Sequence, residues 1–304
     1  MAAAGRPRFS VVIPAYNESG YLPRTLSSLR RQDFPGEVEV VVVDNNSDDD
    51  TAAVARRHGV RVVHEAQPGV CAARQRGSVA ATGEILVSTD ADTVHPVDWL
   101  RRIDATFASS NAVVAVAGPC RYDGAHGWTD RYPRLLFGLV GWFFARTRYV
   151  GYVSATNLAV RRSAFPGYDQ RLTQGGDELD LLRRLRPQGA VVWDAGNVVT
   201  TSPRRLQQGF LHTFFVSFLG YYLGAYLVNR VSGRPRVGTA PPVREPPAVG
   251  AADHDAAPTP SVRTLRPLRP WRPSRPLIDD DGGGRRVLPG SVVRAPGARE
   301  TSSS

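Results

Sequence analysis

The sequence predicts an α/β domain built on a mostly parallel sheet flanked by helices. Short β-branched runs alternate with stretches of helical periodicity through most of the chain. Three of those runs end in polar or acidic residues, at the strand ends where open α/β sheets bind ligands. The third observation is a break in composition. The chain has 304 residues, and the segment after Arg230 holds more than half of its 24 prolines, together with Arg, Gly, Ala and Ser stretches. Such a segment has too little apolar surface to offset its ordering entropy. The expected organisation is one folded domain over residues 1–230 and a disordered tail over 231–304. About 230 residues suffice for one large α/β domain and argue against a separate large cofactor domain.

The elements follow in order. Phe9–Pro14 reads as a buried strand ending at proline, and Leu22–Gln32 as a helix with Leu22, Leu26 and Leu29 on one face. Val38–Val43 is a second buried strand. Asp48–His58 opens with acids, which suit a helix N-terminus. Val60–His64 is a short strand, Cys71–Thr82 a helix ending before Gly83, and Ile85–Thr89 a fourth strand. Asp98–Phe107 reads as a helix and Val113–Ala117 as a strand. Leu135–Phe144 is a dense apolar run bracketed by arginines. Ala155–Val160 is a strand, Glu178–Arg186 a helix, and Val191–Trp193 and Val198–Thr200 short strands. Residues 206–229 are expected to form an apolar helix, since Phe210–Val228 is a 19-residue run without a charge.

Charge narrows the function. The net charge is +10, and all 38 basic residues are arginine. The excess divides evenly between domain and tail, which suits an anionic small ligand or a membrane surface. No zinc-finger spacing or RNP-type aromatic motif accompanies it, so nucleic acid is not an expected partner. Cys71 and Cys120 are isolated and fit a reducing compartment. Met1–Arg8 has no apolar run of signal-peptide type. The expected location is the cytoplasm.

The three polar strand ends are Pro14-Ala15-Tyr16-Asn17-Glu18, Asp44-Asn45-Asn46 and Asp90-Ala91-Asp92. Singly, such residues also serve as turn formers and helix caps. Together they converge on one crevice. Two carboxylates two positions apart after a strand offer oxygen ligands to a hard divalent cation shared with substrate phosphates.

In these stretches the chain resembles family 2 glycosyltransferases of the GT-A fold. Val11-Val12-Ile13-Pro14-Ala15-Tyr16-Asn17-Glu18 is similar to the family's first strand and loop, and Val41–Asp49 to its second strand and acidic turn. Pro68–Gly77 resembles a loop and helix that usually read Ala-Arg-Asn, with Gln75 here in place of the Asn. Ser88–Thr93 is similar to the metal motif, and Asn157–Phe165 to the acceptor-side strand. The resemblance implies inverting transfer from a nucleotide-diphosphate sugar, such as a UDP- or GDP-sugar, to a hydroxyl acceptor on a lipid-linked or cell-envelope glycan. It also implies Mn2+ or Mg2+ as cofactor, held by Asp92 with Asp90. Pro14, Ala15, Tyr16, Glu18 and Asp44 would contact the nucleoside, with Asp90 and Ala91 beside the ribose. Arg74 would lie near the sugar or diphosphate, where a guanidinium suits phosphate oxygens; read alone, it is also a solvated helix residue.

Inverting transfer needs a base for the acceptor hydroxyl proton. Where the family commonly has Glu-Asp-x-Asp-Leu, this chain has Asp177-Glu178-Leu179-Asp180-Leu181, with the first two acids swapped. Register puts Glu178 at the base position and Asp177 beside it. Arg204 and Arg205 resemble arginines that approach the diphosphate or acceptor, and they equally read as a basic pair flanking the apolar run.

Phe210–Val228 is rich in Phe and Tyr, which favours an interface over a bilayer centre. A span would also put the arginine-rich tail opposite the catalytic domain, against the positive-inside tendency. A helix lying on the membrane surface, or one packed on the domain, fits better. Leu135–Phe144 reads the same way, with core or dimer packing as its alternative. A nucleotidyltransferase on a similar sheet is a rival reading, but the first loop lacks the Gly-rich triphosphate signature. A non-catalytic nucleotide-sugar-binding protein is another, opposed by the retained carboxylates.

Overall fold

A computed structural model describes residues 6–170, 177–204, 206, 209, 211, 215–216, 219–220 and 224–232. The predicted tail beyond Ser232, most of the predicted 206–229 helix, Arg205 and the stretch 171–176 lie outside the described residues.

Seven strands form the main sheet. They are β1 (Phe9–Ala15), β2 (Val38–Asp44), β3 (Arg61–His64), β4 (Ile85–Ser88), β6 (Val113–Ala117), β8 (Leu158–Arg161) and β9 (Ala190–Trp193), in the order β3-β2-β1-β4-β8-β6-β9. The pairs β1·β2, β2·β3, β1·β4 and β6·β9 are parallel, whereas β8 runs antiparallel to both β4 and β6. The sheet is therefore mainly parallel, as predicted. A three-stranded sheet joins β5 (Thr93–Val94), β10 (Val199–Thr201) and β7 (Cys120–Tyr122). Two of these strands, β5 and β7, are too short to leave a periodic signal in the sequence.

The helices are α1 (Leu22–Arg30), α2 (Thr51–Arg57), α3 (Val70–Ala80), α4 (Trp99–Ser109), α5 (Trp128–Thr147), α6 (Asp177–Leu185) and α7 (Ala225–Ser232). Phe9, Val11, Ile13, Leu22, Leu26, Ile85, Trp99, Leu100 and Ile103 are sealed in one core between the sheet and its helices. Burying each such large side chain contributes about 1.5–3 kcal/mol relative to exposure. On the other face, α3 lies so close to β1 and β2 that a Cβ on Gly77 would collide with Val12 and Val43. That close approach seats Arg74, one turn earlier, over the carboxyl ends of the strands.

Several element ends differ from the sequence prediction for local reasons. β1 continues through Pro14 to Ala15, because its pairing with β4 stops at Val12 opposite Ser88 and proline loses no ladder bond on that edge. α1 stops at Arg30. Beyond it the Gln32 amide donates to the Pro96 carbonyl at 2.8 Å and accepts from the Leu100 N–H at 3.0 Å, joining α1 to the start of α4. α2 begins at Thr51 rather than Asp48. The preceding acids are used by the loop: Asp49 accepts from the backbone of Ser19 and Thr51 at 3.0 and 2.9 Å. The predicted strand 155–160 opens as a tight helical turn, Ala155–Asn157, before β8 begins. The apolar run 135–144 is the middle of the 20-residue helix α5. α7 is the described end of the predicted 206–229 helix and continues to Ser232. No described helix is long and apolar enough to cross a membrane.

Candidate active site

Strand β1 is flanked by β2 on one side and β4 on the other, the topological switch at which such sheets open a crevice. Ala15 lies opposite Asp44 in register, and the Asn45 N–H donates to the Ala15 carbonyl at 2.9 Å. The loops after β1 and β2 are laced together. The Asn17 N–H donates to Ser47 Oγ at 3.0 Å, the Asp48 N–H to Asn17 Oδ1 at 2.9 Å, and the Glu18 N–H to Thr51 Oγ1 at 2.8 Å. Asn17 and Asn46 both adopt left-handed φ angles, 54° and 65°, which asparagine tolerates better than most residues. Asn45 reaches the next loop, donating to the Glu65 and Gln67 carbonyls at 2.8 and 2.7 Å and accepting from the Gly69 N–H at 2.8 Å. This fixes the entry to α3. Pro14 is half-buried, Ala15 buried and Tyr16 exposed at the crevice mouth. The Asp44 carboxylate accepts from the Ser47 N–H at 3.2 Å.

Asp90 and Asp92 follow β4, and their carboxylates go to different partners. Asp90 accepts from Thr156 Oγ1 at 2.6 Å and pairs with Arg74 at 3.0 Å. Asp92 accepts from Thr201 Oγ1 at 3.0 Å and pairs with Arg204 at 2.9 Å. Ala91 between them is buried, its carbonyl held by Thr25 Oγ1 at 2.7 Å. Arg204 also pairs with Glu18 at 2.5 Å and lies over the Tyr21 ring at 4.8 Å. One guanidinium thus ties the first loop to the Asp90-Ala91-Asp92 turn. Burial raises the Glu18 carboxyl to about 7; Arg204 opposes the rise, and the charges of Asp92 and Asp90 add to it. Glu18 Oε2 is buried with no hydrogen-bond partner.

Among the described residues, no three or more His, Cys, Asp or Glu side chains form a group able to hold a metal ion. A Mg2+-type ion usually needs only one or two carboxylates, with water and substrate phosphates completing its shell. Asp90 and Asp92 are two such carboxylates, and Glu18, whose Oε2 has no partner among the described residues, shares Arg204 with Asp92, so the chemistry of the residues fits such an ion shared with a diphosphate.

The acids Asp177 and Glu178 open α6. Asp177 and Glu178 are both buried, and Arg74 from α3 reaches them, at 2.8 Å from Asp177 and 3.5 Å from Glu178. Arg74 is itself only 7% exposed, so it is an internal cation and not a solvated helix residue. Burial pushes the Asp177 carboxyl up, but the Arg74 charge and hydrogen bonds from Glu178, Arg74 and Cys71 outweigh it and hold Asp177 below its usual range. Glu178 is displaced the other way, well above its usual value, first by burial and then by the charge of Asp177. The two neighbouring acids are thus pushed apart, Asp177 towards its ionised form and Glu178 towards its neutral form. The Ala155 N–H donates to Glu178 at 3.4 Å. Asp180 faces away and is tied to Arg183 and Arg184 at 3.0 and 2.6 Å.

The position of Arg74 makes it structural as well as polar. Arg74→Met is expected to lower stability to urea unfolding by about 3–5 kcal/mol, because it strands the buried Asp177 charge. An unchanged unfolding midpoint would show that Asp177 does not depend on this cation.

The fold thus gathers two ion-pair clusters, Glu18 and Asp92 about Arg204, and Asp90, Asp177 and Glu178 about Arg74, with Pro14, Ala15, Tyr16 and Asp44 on the adjoining strand ends. Arg205 is outside the described residues. Two hydroxyls that sequence reasoning did not single out, Thr156 and Thr201, hold the two aspartates. β8 is antiparallel to β4, with Leu158 opposite Ser88, so residues just before β8 sit over the carboxyl end of β4. Asn157 secures that turn. It accepts from Trp99 Nε1 at 2.9 Å and donates to the Asn197 carbonyl at 2.6 Å. A polar Ser154-Ala155-Thr156-Asn157 cluster at a strand start was the only signal available. His95 is sealed between Ser28 and Thr89 at 2.9 and 2.8 Å, and burial lowers it to about 3, so it is a neutral core group.

Residues 10–168 match the family described as glycosyl transferase family 2. Glycosyltransferase AglE from Haloferax volcanii is 33% identical over 135 residues, covering 41% of this chain and 44% of that relative. The chain therefore spans less than half the length of this curated relative. The fold is similar to a mannosyltransferase from Pyrobaculum calidifontis solved with GDP-Man and Mn2+, with a TM-score of 0.56, 24% identity, and 78% of this chain and 67% of that one covered. It is also similar to glucosyl-3-phosphoglycerate synthase from Mycobacterium tuberculosis solved with Mn2+, UDP-glucose and phosphoglyceric acid, with a TM-score of 0.51, 23% identity, and 75% and 79% covered. The family match takes in more than half of the chain and runs from the first strand past Asp90, Asp92 and β8: this protein belongs to glycosyl transferase family 2, with the GT-A arrangement of a mainly parallel sheet between helices.

Proposed function

We propose that the protein transfers a sugar, with inversion, from a nucleotide-diphosphate donor of the UDP- or GDP-sugar type to a hydroxyl acceptor, within the domain that residues 1–230 were expected to form. One observation carries this reading. Arg74 spans the crevice between two carboxylate groups, 3.0 Å from Asp90 on the donor side and 2.8 Å from Asp177 on the acceptor side. Donor and acceptor acids thereby face one reaction space. In it Pro14, Ala15, Tyr16, Glu18 and Asp44 hold the nucleoside, with Asp90 and Ala91 beside the ribose. Asp92 with Asp90 binds Mn2+ or Mg2+, which neutralises charge on the diphosphate leaving group when bound. Arg204 and Arg205 adjoin the diphosphate. Glu178 accepts the proton of the attacking hydroxyl, and Asp177, kept ionised by Arg74, orients it. Nucleotide-sugar and Mn2+ complexes of fold relatives support the donor and the metal. The exposed apolar stretches of the domain support an acceptor presented at a membrane, on a lipid-linked or envelope glycan.

Thermal unfolding with UDP, GDP, dTDP and CDP, each with and without Mn2+, tests the donor half. A ligand at about 100 times its Kd stabilises by about 2.7 kcal/mol, so one base should raise the midpoint clearly and only with Mn2+. No shift with any of the four would remove the nucleotide-sugar reading.

A further inference from the structure

Helix α5 has two apolar sides, and among the described residues only one is covered. Pro133, Phe137 and Val140 are buried, and Phe137 stacks on Trp193 at 5.8 Å. Leu135, Leu139 and Trp142 are 78%, 62% and 53% exposed, with Phe143 exposed beside them. Their spacing of i, i+4, i+7 and i+8 puts all four along one stripe of the 20-residue helix. Basic side chains bracket the stripe: Arg131 and Arg134 before it, Arg146 and Arg148 after it, all exposed. The one acid in the helix, Asp130, is already paired with Arg134 at 2.9 Å. The Arg146 guanidinium sits over the Trp142 ring at 4.0 Å. Tyr149 extends the patch, packing edge-on against Phe143 at 6.0 Å under the Arg186 guanidinium at 3.8 Å.

We propose that this face of α5 docks on an anionic lipid surface. The helix lies in the plane of the interface. Leu135, Leu139, Trp142 and Phe143 enter the acyl boundary, and the arginines meet headgroup phosphates. Tryptophan with arginine over its ring suits that boundary, because the ring is amphipathic and the guanidinium keeps its contact with water and phosphate. Charge argues against a second copy of this chain. Two arginines stand at each end of the stripe, so self-packing in either direction would set arginine against arginine. The surface also bears on the proposed reaction, and this clause rests on that reading: Arg186 adjoins the end of α6 whose first turn carries Asp177 and Glu178, about 13 Å away along a nine-residue helix. An acceptor sugar held by a lipid would reach the dyad from this side.

Sedimentation of the full chain with vesicles tests the proposal. It should bind vesicles of phosphatidylcholine mixed with phosphatidylglycerol and leave vesicles of phosphatidylcholine alone in the supernatant. The double variant Leu139→Gln with Trp142→Gln should lower that binding by about tenfold or more. Arg131→Gln with Arg146→Gln should weaken it as well and flatten its salt dependence. Both pairs are exposed, so unfolding temperature and nucleotide shifts should match the parent. Absence of binding to the anionic vesicles overturns the proposal. Binding that survives Leu139→Gln with Trp142→Gln also overturns it, since the arginine-rich segment beyond residue 232 would then be responsible. A dimer that the same substitutions dissociate, without vesicle binding, overturns it in favour of self-association. The nucleotide shift is read separately, so failure at the membrane and failure of the donor reading are distinguishable.

Discussion

Asp92→Asn is expected to lower sugar transfer by about 10³-fold or more while the chain keeps its fold. The stability half of this expectation follows from the contacts. Asp92 accepts from Thr201 Oγ1 at 3.0 Å, and an asparagine oxygen can keep that bond. Arg204 loses one carboxylate at 2.9 Å but retains Glu18 at 2.5 Å, so no buried charge is left alone. The activity half follows from charge. The leaving diphosphate gains negative charge in the transition state, and neutralising it is worth several kcal/mol, with each 1.36 kcal/mol about tenfold in rate. An amide offers a neutral oxygen where a hard cation needs an anionic one. Two measurements check this: transfer as a function of Mn2+ concentration, and the Mn2+-dependent part of the nucleotide thermal shift. Full activity of Asp92→Asn at low Mn2+ would remove the metal role from this residue.

Glu178→Gln is expected to lower turnover by about 10²–10⁴, the usual worth of general-base catalysis, with little change in nucleotide affinity. The dyad predicts how the two neighbours differ. Burial and the adjacent Asp177 charge favour the neutral form of Glu178, and glutamine closely mimics that form, so Glu178→Gln should fold as stably as the parent. Asp177 is the ionised partner of buried Arg74, so Asp177→Asn should cost stability first and turnover less, through the loss of orientation. The pH profile carries the sign. Glu178 must be ionised to accept a proton, and its raised pKa means the reactive form grows as pH rises. The acidic limb of the rate profile should therefore lie above the ordinary carboxylate range, and it should vanish in Glu178→Gln. If Asp177→Asn proves the more damaging to turnover and Glu178→Gln is mild, Asp177 is the base. If both are mild, the base lies outside this pair.

Much of the architecture was legible because parallel strands are short, apolar and punctuated. The runs at Val11, Val41, Ile85 and Val113 each announced a strand, and the polar residues at three strand ends announced the crevice. Periodicity failed where chain segments are too short or are claimed by distant partners. β5 has two residues, and Asp48–Asp50 look like a helix start until Asn17 and Ser19 take their hydrogen bonds. The apolar run of α5 showed that something covers it, but not that one side faces the core and the other is exposed among the described residues.

By itself the sequence determined the family, the sheet and the residue types of the site, because these depend on local pattern and on motifs carried within single segments. Only the tertiary structure decided how the acids are paired and in which direction each is shifted. Asp90, Asp177 and Glu178 are separated by up to 88 positions, and it is the seating of α3 against the sheet at Gly77 that brings Arg74 among them. The charge of the buried Arg74 guanidinium then lowers Asp177, while burial and the Asp177 charge raise Glu178. A pKa is set by burial and by charges a few ångströms away, and neither distance is written along the chain.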